Sequence, residues 1–230
     1  MNPDDLSFSA DDFCGVARLF PLPNLVMFPH VLQPLHIFEP RYRDLVEEAL
    51  DGDRLLALAV LTAGWEADYE GRPPVHPVVC LGRIVTHQRL EDGRFNLLLA
   101  GLRRARLVRE LPPDKLFRTA EIEILDDVYA PQSGRRQSAL QRRLVKVFWQ
   151  EMPGLEQVHE KLDQVLAREV PLGILTDILA FTLKLKFEVK QELLTETDVQ
   201  RRAELLLEAV KSGAAAAVVW PNFPPDFSLN

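Results

Sequence analysis

The sequence predicts an α+β protein: a strongly bent β-barrel with one short helix, followed by an α-helical bundle. Three observations predict it. Prolines break the chain from Arg18 to Pro40 into short extended pieces, an Asp-Gly turn separates two long strand-like runs near residue 92, and beyond Asp127 the apolar residues recur at helical spacing. The expected division is an acidic leader over 1–16, a β subdomain over 17–128, a helical subdomain over 129–213 and an apolar tail over 214–230.

Within residues 18–40 stand Pro21, Pro23, Pro29, Pro34 and Pro40. Proline supplies no ladder donor and keeps the preceding residue out of the helical region, so short edge or turn-broken strands are expected at Leu19-Phe20, Leu25 to Phe28 and Leu35 to Phe38. At Pro40 the period changes. Tyr42, Leu45, Val46, Ala49 and Leu50 follow helical spacing, Pro40 suits a first helical position, and Asp51-Gly52 ends the run.

Leu55 to Leu61 is continuously apolar, the pattern of a strand covered on both faces. Ala63 to Pro77 reads as a long loop with Trp65 and Tyr69 as exposed aromatic candidates. Val78 to Leu90 and Phe95 to Leu99 flank the hairpin turn Glu91-Asp92-Gly93-Arg94. Gly101 marks a bulge or bend before Leu102 to Leu111 resumes the strand. Phe117 to Leu125 alternates, with Ala120, Ile122 and Ile124 opposite Glu121 and Glu123.

The second half predicts helices carrying Leu140, Leu144, Val147 and Phe148; then Leu155, Val158, Leu162, Val165 and Leu166; then Leu172, Leu175, Ile178 and Leu179 after Pro171. A turn or short helix through Val189 to Leu194 leads to a last helix. Its cap is expected at Thr197 with Gln200, its apolar face at Val199, Ala203, Leu206, Leu207 and Val210, and its stop at Gly213.

Composition narrows the function classes. A hydrophobic content of 47% over 230 residues suffices for a full core. A net charge of −7 argues against a polyanion as the main partner. Cys14 and Cys80 form no metal-ligand spacing and fit a reducing compartment. The acidic N-terminus lacks a signal peptide's pattern, and no apolar run approaches the roughly 20 residues of a membrane span. A cytoplasmic protein is expected.

The run Leu19-Phe20-Pro21-Leu22-Pro23-Asn24, followed by Pro34-Leu35-His36-Ile37-Phe38-Glu39-Pro40-Arg41-Tyr42-Arg43, resembles the N-terminal substrate-recognition domain of Lon proteases. Asp92-Gly93-Arg94-Phe95-Asn96-Leu97 and Ala100-Gly101-Leu102-Arg103-Arg104-Ala105-Arg106 match the same family, as do Lys190-Gln191-Glu192-Leu193-Leu194 and Arg201 to Leu206. His30 stands where the family often has glycine, and Ala105 where it has an aromatic. The resemblance covers roughly residues 18 to 211. It implies a PUA-like barrel with a helical second half, and a stand-alone form of the domain without the ATPase and protease modules.

No phosphate-cradling glycine loop occurs, the serines sit near termini or helix ends, and the Lys211-Ser212 pair is not oriented by its position to form a dyad. His30, His36, His76, His87 and His159 lack ligand spacing. No catalytic residue, metal or cofactor is therefore expected. What the resemblance implies is a non-enzymatic protein-binding module. It would grip unfolded or tagged polypeptides in a groove between barrel and helices by surface complementarity, and add them as a strand at the proline-broken edge. Arg41, Tyr42, Trp65 and Phe95 are the candidate contacts. Glu39 is expected in a buried pair with a neighbouring arginine, and Arg43 is left open.

Two alternatives remain at this level. One is an adaptor that binds a separate protease or another folded partner. The other is RNA binding through Arg103, Arg104 and Arg106 with Arg135, Arg136, Arg142, Arg143 and Lys146, which the net acidity and the lack of interleaved aromatics disfavour. The tail, with Trp220, Phe223 and Phe227 among prolines, is expected to lie extended on its own chain or to occupy a neighbour's groove in a homo-dimer.

Overall fold

The structure is a computed structural model and describes residues 8–10, 13–131, 134–151, 170–212, 215–216 and 228–229. The chain divides into two compact units, residues 1–125 with 221–230, and residues 126–220.

The first unit is the barrel. Its strands are β1 (Val16–Leu22), β2 (Leu32–Ile37), β3 (Leu55–Val60), β4 (Val78–Arg89), β5 (Phe95–Glu110) and β6 (Arg118–Leu125), with helix α1 (Pro40–Asp51) between β2 and β3. The sheet order is β4-β3-β1-β6-β5-β2, and a further pairing of β4 with β5 closes the first five strands into a ring. Closure leaves those five without a free edge. β2 stands outside the ring, antiparallel to the first half of β5.

β1 corrects the edge position expected from its proline. It runs between β3, to which it is parallel, and β6, to which it is antiparallel. Pro21 is tolerated because the ladder to β6 ends at Leu19, so no donor is wanted on that side. Leu25 to Phe28 joins no strand, although Val26, Met27 and Phe28 are buried. His30 closes the following turn in the left-handed region with φ 65°, the conformation a glycine would take freely.

β3 is buried along its whole length, as its apolar run requires. Leu55, Ala57 and Ala59 join Ala17, Leu19, Val79, Leu81, Leu102, Ala105, Ala120 and Ile122 in one cluster. Ala57, Ala105 and Ala120 are inaccessible there, and small side chains at these positions are what a narrow ring can enclose. Phe8 and Phe13, partly buried, pack against this cluster, so that part of the leader is docked.

The bend in β5 occurs where two glycines face each other. Gly82 pairs with Gly101 while Leu81 pairs with Arg103, which leaves Leu102 as an extra residue. A Cβ on Gly101 would lie 2.0 Å from the Phe28 carbonyl oxygen, and one on Gly82 would lie 2.8 Å from that of Ala100. Only glycine permits this approach of three backbone segments.

The second unit holds α2 (Gly134–Glu151), α3 (Leu172–Thr182), the two-residue strand β7 (Lys184–Leu185), α4 (Phe187–Thr195), α5 (Val199–Lys211) and β8 (Ala215–Ala216), which pairs with β7. Leu140, Leu144, Val147 and Phe148 are buried on α2 as their spacing predicts. The helix expected at Leu155 to Leu166 and the tail aromatics Trp220, Phe223 and Phe227 lie outside the described residues. The cap of α5 is Asp198 rather than Thr197: its carboxylate accepts hydrogen bonds from the Gln200 and Arg201 amides at 2.9 and 3.0 Å.

Arg202 is wholly buried in this unit. Its guanidinium donates to both carboxylate oxygens of Asp127 and to the Glu196 carbonyl, and its Nε lies 3.3 Å from the buried Asp177.

Candidate functional site

Arg41 follows Pro40 at the start of α1, and its guanidinium reaches back to Glu39. Nε donates to Glu39 Oε2 at 3.0 Å, and one terminal nitrogen lies 2.9 Å from the same oxygen. The other terminal nitrogen donates to the Tyr69 carbonyl at 3.1 Å, while the Tyr69 hydroxyl donates to Glu39 Oε1 at 2.6 Å. The guanidinium also lies 4.8 Å from the Tyr42 ring centre and 4.7 Å from that of Tyr69. Trp65 stands edge-on to Tyr69 at 5.3 Å.

This knot ties the loop after β3 to the start of α1. Burial pushes the Tyr69 hydroxyl up to about 12, and its bond to the Glu39 carboxylate adds to the shift. Tyr42 is raised as well, chiefly by burial. Burial opposes the charge of Arg41, but its neighbours Tyr42 and Glu39 outweigh that and hold it above its ordinary value. The knot is chemically quiet: a cation matched by one carboxylate, and two phenols that stay protonated at neutral pH.

Three of the four candidate contacts, Arg41, Tyr42 and Trp65, are thus brought together, and Phe95 is not. Tyr42 packs edge-on against Phe20 at 4.6 Å, its hydroxyl donates to the Pro21 carbonyl, and only 4% of it is exposed. Phe95 is 2% exposed at the start of β5, opposite Ile37 and beneath Arg89. Neither has much surface to offer a ligand. Arg43 lies against the β4–β5 turn, where a Cβ on Gly93 would come within 3.1 Å of its guanidinium.

Of the four large apolar side chains exposed on this unit among the described residues, two are Val108 and Leu116, and the other two lie nearby in sequence. Leu32 and Phe38, at either end of β2, are 42% and 39% exposed. Between them on the same face, His36 bonds Asn96 at 2.7 Å and stacks on Phe38 at 6.2 Å. Sequence reasoning passed over this face, although the alternation of Leu32, Pro34, His36 and Phe38 with Gln33, Leu35 and Ile37 carries the signal.

Three of the basic groups weighed for RNA are buried or paired with acids. Arg104 is buried, Arg106 is paired with Glu123, and Arg136 on α2 is paired with Glu204. Among the described residues, no three of His, Cys, Asp and Glu are grouped as metal ligands, and no helix is long and apolar enough to cross a membrane.

A family model described as the ATP-dependent protease La (LON) substrate-binding domain matches residues 16–212. The chain belongs to the LON substrate-binding domain family. Among curated relatives, the Lon protease of Heliobacterium modesticaldum is 28% identical over 191 residues, covering 83% of this chain and 23% of that protein. The Lon protease of Xanthomonas oryzae pv. oryzae is 28% identical over 193 residues, covering 84% and 22%. The chain thus spans about a quarter of the length of these relatives, and the part of the family it matches is the substrate-binding domain.

Among solved structures, a Lon N-terminal domain protein from Xanthomonas campestris aligns with TM-score 0.59 and 25% identity, over 84% of this chain and 97% of that one. The N-terminal domain of Mycobacterium avium complex Lon protease aligns with TM-score 0.65 and 15% identity, over 85% and 98%, a likeness of fold alone. The α+β class read from the sequence is the one these LON domains share.

Proposed function

We propose that this chain is a non-catalytic polypeptide-recognition module that takes up exposed apolar segments of unfolded or tagged proteins. The match of residues 16–212 to a domain family described by substrate binding carries the reading. The exposed Leu32 and Phe38 on the barrel unit support it, because they offer apolar contact to a chain that has lost its own core. Arg41 and Trp65 flank the loop after β3 as secondary contacts, with Tyr42 and Phe95 supporting them from the interior.

A fluorescent, reduced and carboxymethylated lactalbumin tests the reading. Saturable binding that folded lactalbumin does not displace is the expected result. Absence of binding, together with recovery of one stoichiometric folded partner that unfolded competitor leaves in place, would replace this reading with that of an adaptor for a separate protease or other protein.

A further inference from the structure

The outer edge of β2 is where the barrel's hydrogen bonding is left open, and the register shows which groups point there. The Gly101 amide donates to the Val31 carbonyl at 2.9 Å and the Gly101 carbonyl accepts from the His30 amide at 2.9 Å, so the Val31 carbonyl faces β5. Stepping by two along the β2–β5 register, Gln33, Leu35 and Ile37 turn their backbone groups towards β5, and Leu32, Pro34 and His36 turn theirs outward. Pro34 therefore stands where its missing amide disturbs no bond to β5. It blunts the edge at one position while leaving the amides of Leu32 and His36 and three carbonyls.

A strand from this same chain already sits on that edge. β9 (Ser228–Leu229) runs parallel to β2, with Ser228 opposite Leu35 and Leu229 opposite His36. Among the described residues β9 takes up two of the six positions of β2, and Leu32 to Pro34 have no ladder partner on that side.

Resting on the reading of the chain as a polypeptide-recognition module, we propose that the outer edge of β2 is its docking site for an extended apolar client segment laid parallel to β2, and that Ser228–Leu229 occupies this edge as an intramolecular competitor. The seated strand shows that the edge accepts a ladder partner and in which direction. Leu32 and Phe38 favour apolar side chains on the outer face. Arg94, at 3.4 Å from His36, is matched by Asp92, so it makes no demand for a charged segment. Ladder bonds read no side chain, which suits a site for clients of varied sequence.

The test compares the full chain with a chain lacking residues 221–230 and with the full-length Ser228→Pro variant, in which the competing strand loses a ladder donor. Carboxymethylated lactalbumin is the client. If the competitor holds the edge nine-tenths of the time, either change tightens client binding about tenfold, and a synthetic 221–230 peptide restores the weaker value. Client also slows hydrogen exchange of the His36 amide in the shortened chain. Equal affinities in all three chains, or bound client with His36 exchange unchanged, would overturn the inference and leave polypeptide recognition standing. Binding by none of them overturns both.

Discussion

The guanidinium of Arg202 and the carboxylate of Asp127, 75 residues apart, are joined by two hydrogen bonds of 2.9 and 2.7 Å. The pair is wrapped closely: a Cβ on Gly173 would lie 2.5 Å from Asp127 Oδ2 and 2.9 Å from the Tyr129 hydroxyl.

Removing the cation takes the guanidinium away from two carboxylates, one of them in Asp177, which is wholly buried. Arg202→Met is expected to destabilise the helical unit by about 3–5 kcal/mol, the range for breaking one side of a buried pair. Urea unfolding followed by helical circular dichroism measures it. A loss below about 1 kcal/mol would show that the pair contributes little.

The glycine pair at the bend of β5 gives a second expectation. Gly101→Ala places a Cβ 2.0 Å from a backbone oxygen that cannot swing aside, whereas a Cβ at Gly134 meets nothing within 4 Å. The first substitution is expected to lower the thermal midpoint of the barrel by several degrees, and Gly134→Ala to leave it unchanged or slightly raised. Equal midpoints would count against the close approach.

His30 is exposed and holds φ 65°. Replacing it with glycine removes the cost of a left-handed Cβ but frees the unfolded chain, so His30→Gly is expected to stabilise by less than about 1 kcal/mol. His30→Val, with a branched Cβ in the same turn, should destabilise by more than the glycine gains. Chemical denaturation of both variants checks the order.

Lys190 provides a dependence on pH. Burial lowers its ammonium from 10.5 to about 8, while its Nζ donates to the Phe181 carbonyl at 2.9 Å. Between pH 8 and 10.5 the unfolded chain holds a proton that the folded chain has released, so the contribution of Lys190 to stability rises with pH across that window and is flat below it. Relative to Lys190→Met, the wild type should therefore gain stability from pH 8 to 10. Parallel urea midpoints at pH 7, 8, 9 and 10 would refute this if their difference stayed constant.

The elements themselves were legible because their signals are local. The apolar run of β3, the Asp-Gly turn between β4 and β5 and the helical spacing of Leu140 to Phe148 each satisfy a periodicity within a dozen residues. The cap of α5 was misplaced by one residue because Thr197 and Asp198 are both capping types, and only backbone geometry chooses between them. The interior place of β1 was missed for a related reason: whether Pro21 is costly depends on where β6 ends.

By itself, the order of residue types determined the α+β class, the family and the location of the bend, since each follows from near neighbours in the chain. Tertiary structure alone decided that Tyr42 and Phe95 turn inward, that Arg41 is also bound by Tyr69, and that residues 228–229 lie along β2. These are pairings between groups far apart in the chain, and whether such groups meet is set by how the barrel closes rather than by any pattern along the chain.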